Sequence, residues 1–460
     1  MSDLATQIGS ARSRPAEAAA PLAPQTLEET GLSAGFIADL ALKHLNQIGQ
    51  CVGSELAEAL CLPMKILEPV LDVLKRDHLV EVTGGSGVGP ATYVHTLSSV
   101  GVGMAKEALE RSRYRGPAPV TLGAYAARVR AQSRIAATIS YADLQAALGH
   151  LVLPEGTLRQ LGPAVNSGQS LFLFGPPGTG KSSIAESIAG LIRGGMVVPY
   201  AIQIGAQVIR VFDPSRHNAL IALDARFDRR WVPISRPFIK VGGELTLDEL
   251  DLSYDPMSGG HEAPIQLKAN GGVLLIDDFG RQRATAEQLL NRWIVPLDRG
   301  VDYLTAVDGR KIEVPFDLLL VFATNRTPSS LVDEAFLRRI HYKVAVRPPT
   351  DAEFAEILRR LCAQRGITFY PQAAEWIIRY CRSRGIALRS CHPRDVMNHL
   401  VAAARFLDKP VEITPELVSL ACDTYFLVEA EPAPAIAAQR PVAIPVARSA
   451  TPSAAATLSG

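Results

Sequence analysis

Residues 175–183 read GPPGTGKSS and residues 273–280 read VLLIDDFG. The first stretch sets Gly175, Gly178 and Gly180 among Pro176, Pro177 and Thr179, followed by Lys181, Ser182 and Ser183. It lies between an apolar run, LFLF, and a helical pattern, IAESIAGLI. Glycines in such a loop let successive backbone N–H groups turn inward around phosphate oxygens, and the helix N-terminus adds partial positive charge. Lys181 is placed to reach the terminal phosphates, Ser182 to offer a hydroxyl to magnesium, and Ser183 to begin the helix. This is GxxxxGK[ST] in its required strand, loop and helix context, and it predicts ATP as ligand with Mg2+ as cofactor. The second stretch is an apolar run that stops at two carboxylates. Asp277 at the end of a buried strand marks a magnesium site beside a nucleotide, and Asp278 after it is placed to activate water.

Further motifs follow in order: VFATN at 321–325, EAFLRRI at 334–340 and CHPRD at 391–395. Together with the first two they resemble the Walker A, Walker B, sensor 1, arginine-finger and sensor 2 elements of the AAA+ ATPases, over about residues 150–427. The resemblance implies that Asp277 orders the magnesium water shell and that Asn325 orients the attacking water. It implies that Arg339 enters a neighbouring subunit's site, with Arg338 as its alternative, and that Arg394 touches the gamma-phosphate, with Arg389 close by. In that family a glutamate usually stands where this chain has Asp278. Aspartate is one methylene shorter, and a misplacement of about 1 Å slows a reaction on the order of a hundredfold. Slow hydrolysis is therefore expected; the bland alternative makes Asp278 a strand-end cap in a protein that only binds.

The elements that must position these residues are legible in outline. Residues 34–48, GSELAEAL and KILEPVLDVLKRD carry helical apolar spacing, and two strand-like runs joined by a glycine-rich turn follow, the order of a winged helix-turn-helix over 31–112. Residues 113–149 read as a basic linker with a helix, 150–349 as the α/β nucleotide-binding core and 350–428 as a lid of four helices. Between them, 196–262 is an insertion rich in strand-formers, in which Asp213, Arg216 and His217 read as a polar turn. Asp308-Gly309 between two strand-like runs predicts a hairpin whose turn needs positive φ at both residues, with Arg310 and Lys311 near its tip. That hairpin resembles the one before sensor 1 in the AAA+ branch that includes the MoxR-like ATPases. Residues 1–30 and 429–460 have the composition of chain without structure. The fold class is thus α/β: a P-loop parallel-sheet core with a helical lid, preceded by a winged-helix-like α+β module.

Composition bounds the rest. At 460 residues, 47% hydrophobic and a net charge of +1, the chain can bury a large core and carries no overall demand for nucleic acid. Its six cysteines show no CxxC spacing and read as small core residues of a reducing cytoplasm. No apolar run approaches the roughly 18 residues of a membrane span, so no membrane insertion and a cytoplasmic location are expected. The third module helix offers Lys65, Lys75 and Arg76, but Glu68 and Asp72 share it, which favours a protein-docking or oligomerisation role over DNA. The expected activity is ATP hydrolysis by a homo-oligomeric ring, a hexamer, that remodels or assembles a protein partner. The layout is loosely similar to that of bacterial ATPases described as having chaperone activity and associated with Flp pilus assembly. Two alternatives are a DNA-bound regulator with a nucleotide-controlled switch and an ATP-binding scaffold with little turnover.

Overall fold

The computed structural model describes residues 21–85, 87, 89–133, 138–192, 194–221, 226–255, 260–306, 308–331 and 334–426. Five parallel strands form the core sheet: β1 (Leu171–Phe174), β2 (Phe238–Val241), β3 (Val273–Ile276), β4 (Leu319–Thr324) and β5 (Tyr342–Ala345). Their spatial order is β2-β3-β4-β1-β5. Strands buried on both faces need apolar residues at every position, and LFLF, VLLI and LLVFAT supply them. Alternate side chains divide between two layers. Phe172, Leu274, Ile276, Leu320 and Phe322 pack with Leu289, Leu290 and Trp293 of the helix Ala286–Arg299. Leu171, Leu173, Val273, Leu275 and Val321 pack on the other face with the helices Tyr141–Leu148, Glu155–Ser167 and Lys181–Leu191. β1 lies between β4 and β5, inside the sheet; ligands of open α/β sheets bind outside the carboxyl ends of the strands.

The lid is four helices, Asp351–Arg365, Pro371–Ser383, His392–Phe406 and Pro415–Tyr425, around their own apolar core. A capping box between Thr350 and Glu353 starts the first, and Gly366 at φ 67° ends it. The N-terminal module has helices Ala34–Ile48, Gly53–Ala59 and Met64–Arg76, then an antiparallel sheet of Gln50–Val52, Tyr93–Leu97 and Val80–Gly85, the arrangement of a winged helix. A further helix, Ser99–Arg111, packs back on the first.

Several expectations are corrected here. Residues 1–20 and 427–460 lie outside the described residues, but 21–30 hold a helical turn, Leu27–Thr30, capped by Thr26. The stretch 113–149 is more than a linker. Val120–Thr121 pairs with Ala201–Ile204 of the insertion, and Tyr125 and Val129 of the helix Leu122–Ala131 are buried against it. The Asp308-Gly309 hairpin forms, Val301–Thr305 against Lys311–Pro315, but only Gly309 of the pair has φ in the left-handed region, at 79°. The Gly309 N–H donates to Ala306 and the Ala306 N–H to Arg310, so the connection is longer than two residues.

The segment around Asp213 is a pin rather than a plain polar turn. His217, 2% exposed, accepts the Asp213 N–H at Nδ1 (3.0 Å) and donates from Nε2 to Lys268 O (2.8 Å), while Asp213 pairs with Lys268 Nζ (2.9 Å). Burial pushes the His217 imidazole below its usual range, in keeping with the neutral ring these bonds require. No bond of Arg216's side chain contributes to this pin. A second tie joins module and insertion: Arg230 and Asp228, 5% and 3% exposed, pair at 2.8 Å, and Arg230 Nη1 donates to Thr30 O and Pro119 O. Removing one partner of such a pair leaves a buried charge, at a cost of about 3–5 kcal/mol. Arg230→Met should therefore lower unfolding stability by that order in a denaturant titration; a loss below about 1 kcal/mol would show that the tie carries no such weight.

Candidate functional site

The loop after β1 is fitted against its surroundings at two glycines. A Cβ on Gly175, φ 149°, would stand 2.1 Å from the Val346 carbonyl just past β5, so a side chain there would force the two strands apart. A Cβ on Gly178, φ 75°, would stand 2.5 Å from Cys391 Sγ and 3.4 Å from Arg389 Cδ at the start of a lid helix. The Cys391 N–H also donates to Gly178 O (3.0 Å), which fastens lid to loop. Cys391 is accordingly half-buried at the loop, not a core cysteine as expected, because the lid helix must begin where the loop passes. Pro176 and Thr179 bond within the loop, Thr179 Oγ1 donating to Pro176 O at 3.0 Å, and Pro177 lies between them. The following helix starts at Lys181, two residues before Ser183.

Lys181 is 7% exposed and its Nζ donates to the carbonyls of Gly175 (2.9 Å) and Pro176 (2.8 Å). Burial lowers its pKa, against the raising pull of Asp278 and Asp277. Ser182 Oγ lies 2.9 Å from both Asp277 carboxylate oxygens. A hydroxyl and one carboxylate, both hard oxygen donors, fit a magnesium ion that keeps several waters and takes its remaining ligands from phosphates. Ser182 and Asp277 are the residues that would hold it.

Asp278 stands at φ 49° and Asn325 Nδ2 donates to its Oδ1 at 3.0 Å. The left-handed region is one that aspartate and asparagine tolerate better than longer side chains, which gives a backbone reason for aspartate at this position. Gln282, absent from the sequence reading, donates to Asp277 O (2.9 Å) and accepts from the Gly280 N–H (2.8 Å), bracing the turn. Lys240 was missed as well: its ammonium lies 3.0 Å from Asp277 Oδ2 and 3.3 Å from Glu186 Oε1. A lysine inside the strand-like run PFIKV was the available signal.

The arginines divide. Arg389 is beside the loop, whereas Arg394 pairs with Asp395 at 2.8 Å with its side chain 65% exposed. Arg339 lies just before β5, its Nε 3.1 Å from Asp298 and its carbonyl accepting from Ser170 Oγ. Arg338, more exposed, faces Glu334 at 3.5 Å. Beside Gly180 a cavity of about 180 Å3 is walled by Leu151, Leu153, Ile357 and Leu361, with His150 and Arg360 at its polar edge. Arg360 donates to Gly149 O and Leu151 O, so a lid helix holds the segment that forms the wall. Flat apolar walls next to a phosphate loop suit a nucleobase.

A parallel sheet carrying this loop at the carboxyl end of β1 is a P-loop nucleotide-binding α/β fold. Residues 350–424, the lid, match a family described as a domain of unknown function (DUF8689). No curated protein matches the chain. Among solved structures it is similar to the Holliday junction branch migration motor RuvB of Thermotoga maritima, at 18% identity over 59% of this chain and 68% of that one, TM-score 0.35. It is also similar to NtrX of Brucella abortus in complex with ATP, at 16% identity over 60% of this chain and 58% of that one, TM-score 0.36. Among the described residues no helix is long and apolar enough to cross a membrane.

Lys181→Ala removes the ammonium that donates to the Gly175 and Pro176 carbonyls of the loop. Calorimetry should then find no ATP binding in the micromolar range; retained micromolar affinity would overturn the assignment of the loop.

Proposed function

We propose that this chain is a magnesium-dependent AAA+ ATPase that works as a homo-oligomeric ring, hexameric in the simplest case, and remodels or assembles a protein partner in the cytoplasm. The observation that carries the reading is the Asn325 amide on the Asp278 carboxylate, next to the Ser182–Asp277 pair. Phosphoryl transfer needs little from a protein beyond position and charge. Here a candidate base, a water-orienting amide and a metal carboxylate emerge together at the ends of β3 and β4. In this proposal Asp277 and Ser182 hold magnesium, Lys181 and the loop amides hold the phosphates, and Arg389, rather than Arg394, reports the nucleotide to the lid.

The place of Arg339 supports the ring. Its backbone is tied to Ser170 at the amino end of β1, whereas the phosphate loop leaves the carboxyl end at Gly175. The five residue steps from Ser170 to Gly175 span about 16 Å, more than one arginine side chain bridges. A finger at this place serves a neighbour's site. The partner is read as protein because the module's third helix keeps its cations occupied: Lys65 donates to Gln25, Lys75 pairs with Asp72 at 2.7 Å, and Arg76 lies 4.0 Å from Asp77. Phosphate neutralisation needs cations that are available for it. Salt-dependent binding of the full chain to duplex DNA would instead support the DNA-bound regulator.

Two experiments test the proposal. Arg339→Ala should leave ATP binding nearly intact and cut turnover on the order of a thousandfold. Mixed with Lys181→Ala subunits it should regain activity, and no recovery in demonstrably mixed rings would count against a finger acting between chains. Asp278→Asn keeps the left-handed backbone and the Asn325 contact within reach but cannot take a proton, so it should bind ATP and fail to hydrolyse it. Asp278→Glu should turn over more slowly than wild type, because the backbone at φ 49° suits the shorter side chain. Undiminished hydrolysis in Asp278→Asn would sink the base assignment.

A further inference from the structure

Lys240 has no role in the chemistry described above, yet its ammonium touches the metal carboxylate. It is the third residue of β2, whose last residue, Val241, accepts the Asp277 N–H at 2.8 Å, so the end of β2 is fixed beside Asp277. The ammonium is shared. Asp277 Oδ2, the oxygen that Ser182 also contacts, lies 3.0 Å away, and Glu186 Oε1, on the phosphate-loop helix, 3.3 Å. Lysine is disfavoured in strands, and packing does not hold this one: its side chain is 44% exposed.

We propose that Lys240 is a built-in counter-cation for the Asp277 carboxylate, which a hydrated magnesium ion must displace toward Glu186, so that the Lys240–Glu186 pair sets the magnesium requirement of the site. The Lys240 ammonium offsets the Asp277 charge at 3.0 Å, a charge that a divalent ion held by Ser182 and Asp277 would supply in its place. Glu186 Oε1, 3.3 Å from the ammonium, is placed to keep it without movement of the strand. Lys240 acts through Asp277 and is a positioning residue, not a catalytic one. The inference rests on the reading of Ser182 and Asp277 as the magnesium residues.

The test is Mn2+ binding to the full chain saturated with ADP, with free Mn2+ counted by electron paramagnetic resonance, so that no turnover is needed. Lys240→Met should bind Mn2+ about two- to fivefold more tightly than wild type, the range expected of a partly exposed ion pair. Glu186→Gln, which leaves the ammonium on Asp277 alone, should bind it more weakly, and the double variant should match Lys240→Met. Lys240→Arg keeps the charge and should show no gain. The differences should shrink at about 1 M salt, where the screening length falls to about 3 Å. Unchanged or weaker Mn2+ binding in Lys240→Met, with wild-type binding intact, would overturn this inference alone. Absence of Mn2+ binding in the wild-type ADP complex would overturn it together with the assignment of Ser182 and Asp277.

Discussion

The Asp277 carboxylate gathers donors from its own turn and from two elements distant in the chain. It receives the Ser182 hydroxyl from the phosphate-loop helix, the Lys240 ammonium from β2 and the Asp278 N–H from its own turn. An ionised carboxylate at the end of a fully buried strand needs such donors, since leaving it without them at the edge of an apolar core is costly. The same need that fixes the carboxylate therefore draws the loop helix and β2 into position around it. The Asp278–Asn325 pair follows from that arrangement, because parallel register carries β3 and β4 to their ends side by side.

From this centre the structure couples outward by contacts that a bound nucleotide would touch. The lid reaches the loop through the Cys391 N–H on Gly178 and reaches the cavity wall through Arg360 on Gly149 and Leu151. The helix Leu122–Ala131 and the insertion pack on the hairpin before β4, with Leu304, Ile312 and Val314 in one cluster with Tyr125 and Val129. The insertion in turn grips the N-terminal module through Arg230, and Ala201 and Val208 enter the module's own core. A path of packed and bonded elements thus runs from the phosphate loop to the module without a loose joint among the described residues. Packed interfaces of this kind shift as units rather than deform continuously.

What the sequence by itself determined is local. Short apolar runs such as LFLF, VLLI and LLVF fit strands buried on both faces, and glycine spacing before Lys181 suits a close backbone approach, so the core, the phosphate loop and the two aspartates were readable in place. The lid helices were readable from caps and stops for the same reason. What the tertiary structure decided is everything that depends on pairing at long range. Val120–Thr121 carries no sign that it pairs with Ala201–Ile204, and nothing in CHPRD says that Arg389, not Arg394, will lie along Gly178. The turn at Asp308-Gly309 took a longer form because hairpin register is set by both strands and by what packs beneath them. Lys240 drew no reading from the sequence, because its partner Asp277 comes beside it only when β2 is laid along β3. Periodicity and backbone sterics act over a few residues and leave their mark in the sequence; the meeting of Lys240, Asp277 and Glu186 is set by how the sheet and the phosphate-loop helix pack, which no short stretch encodes.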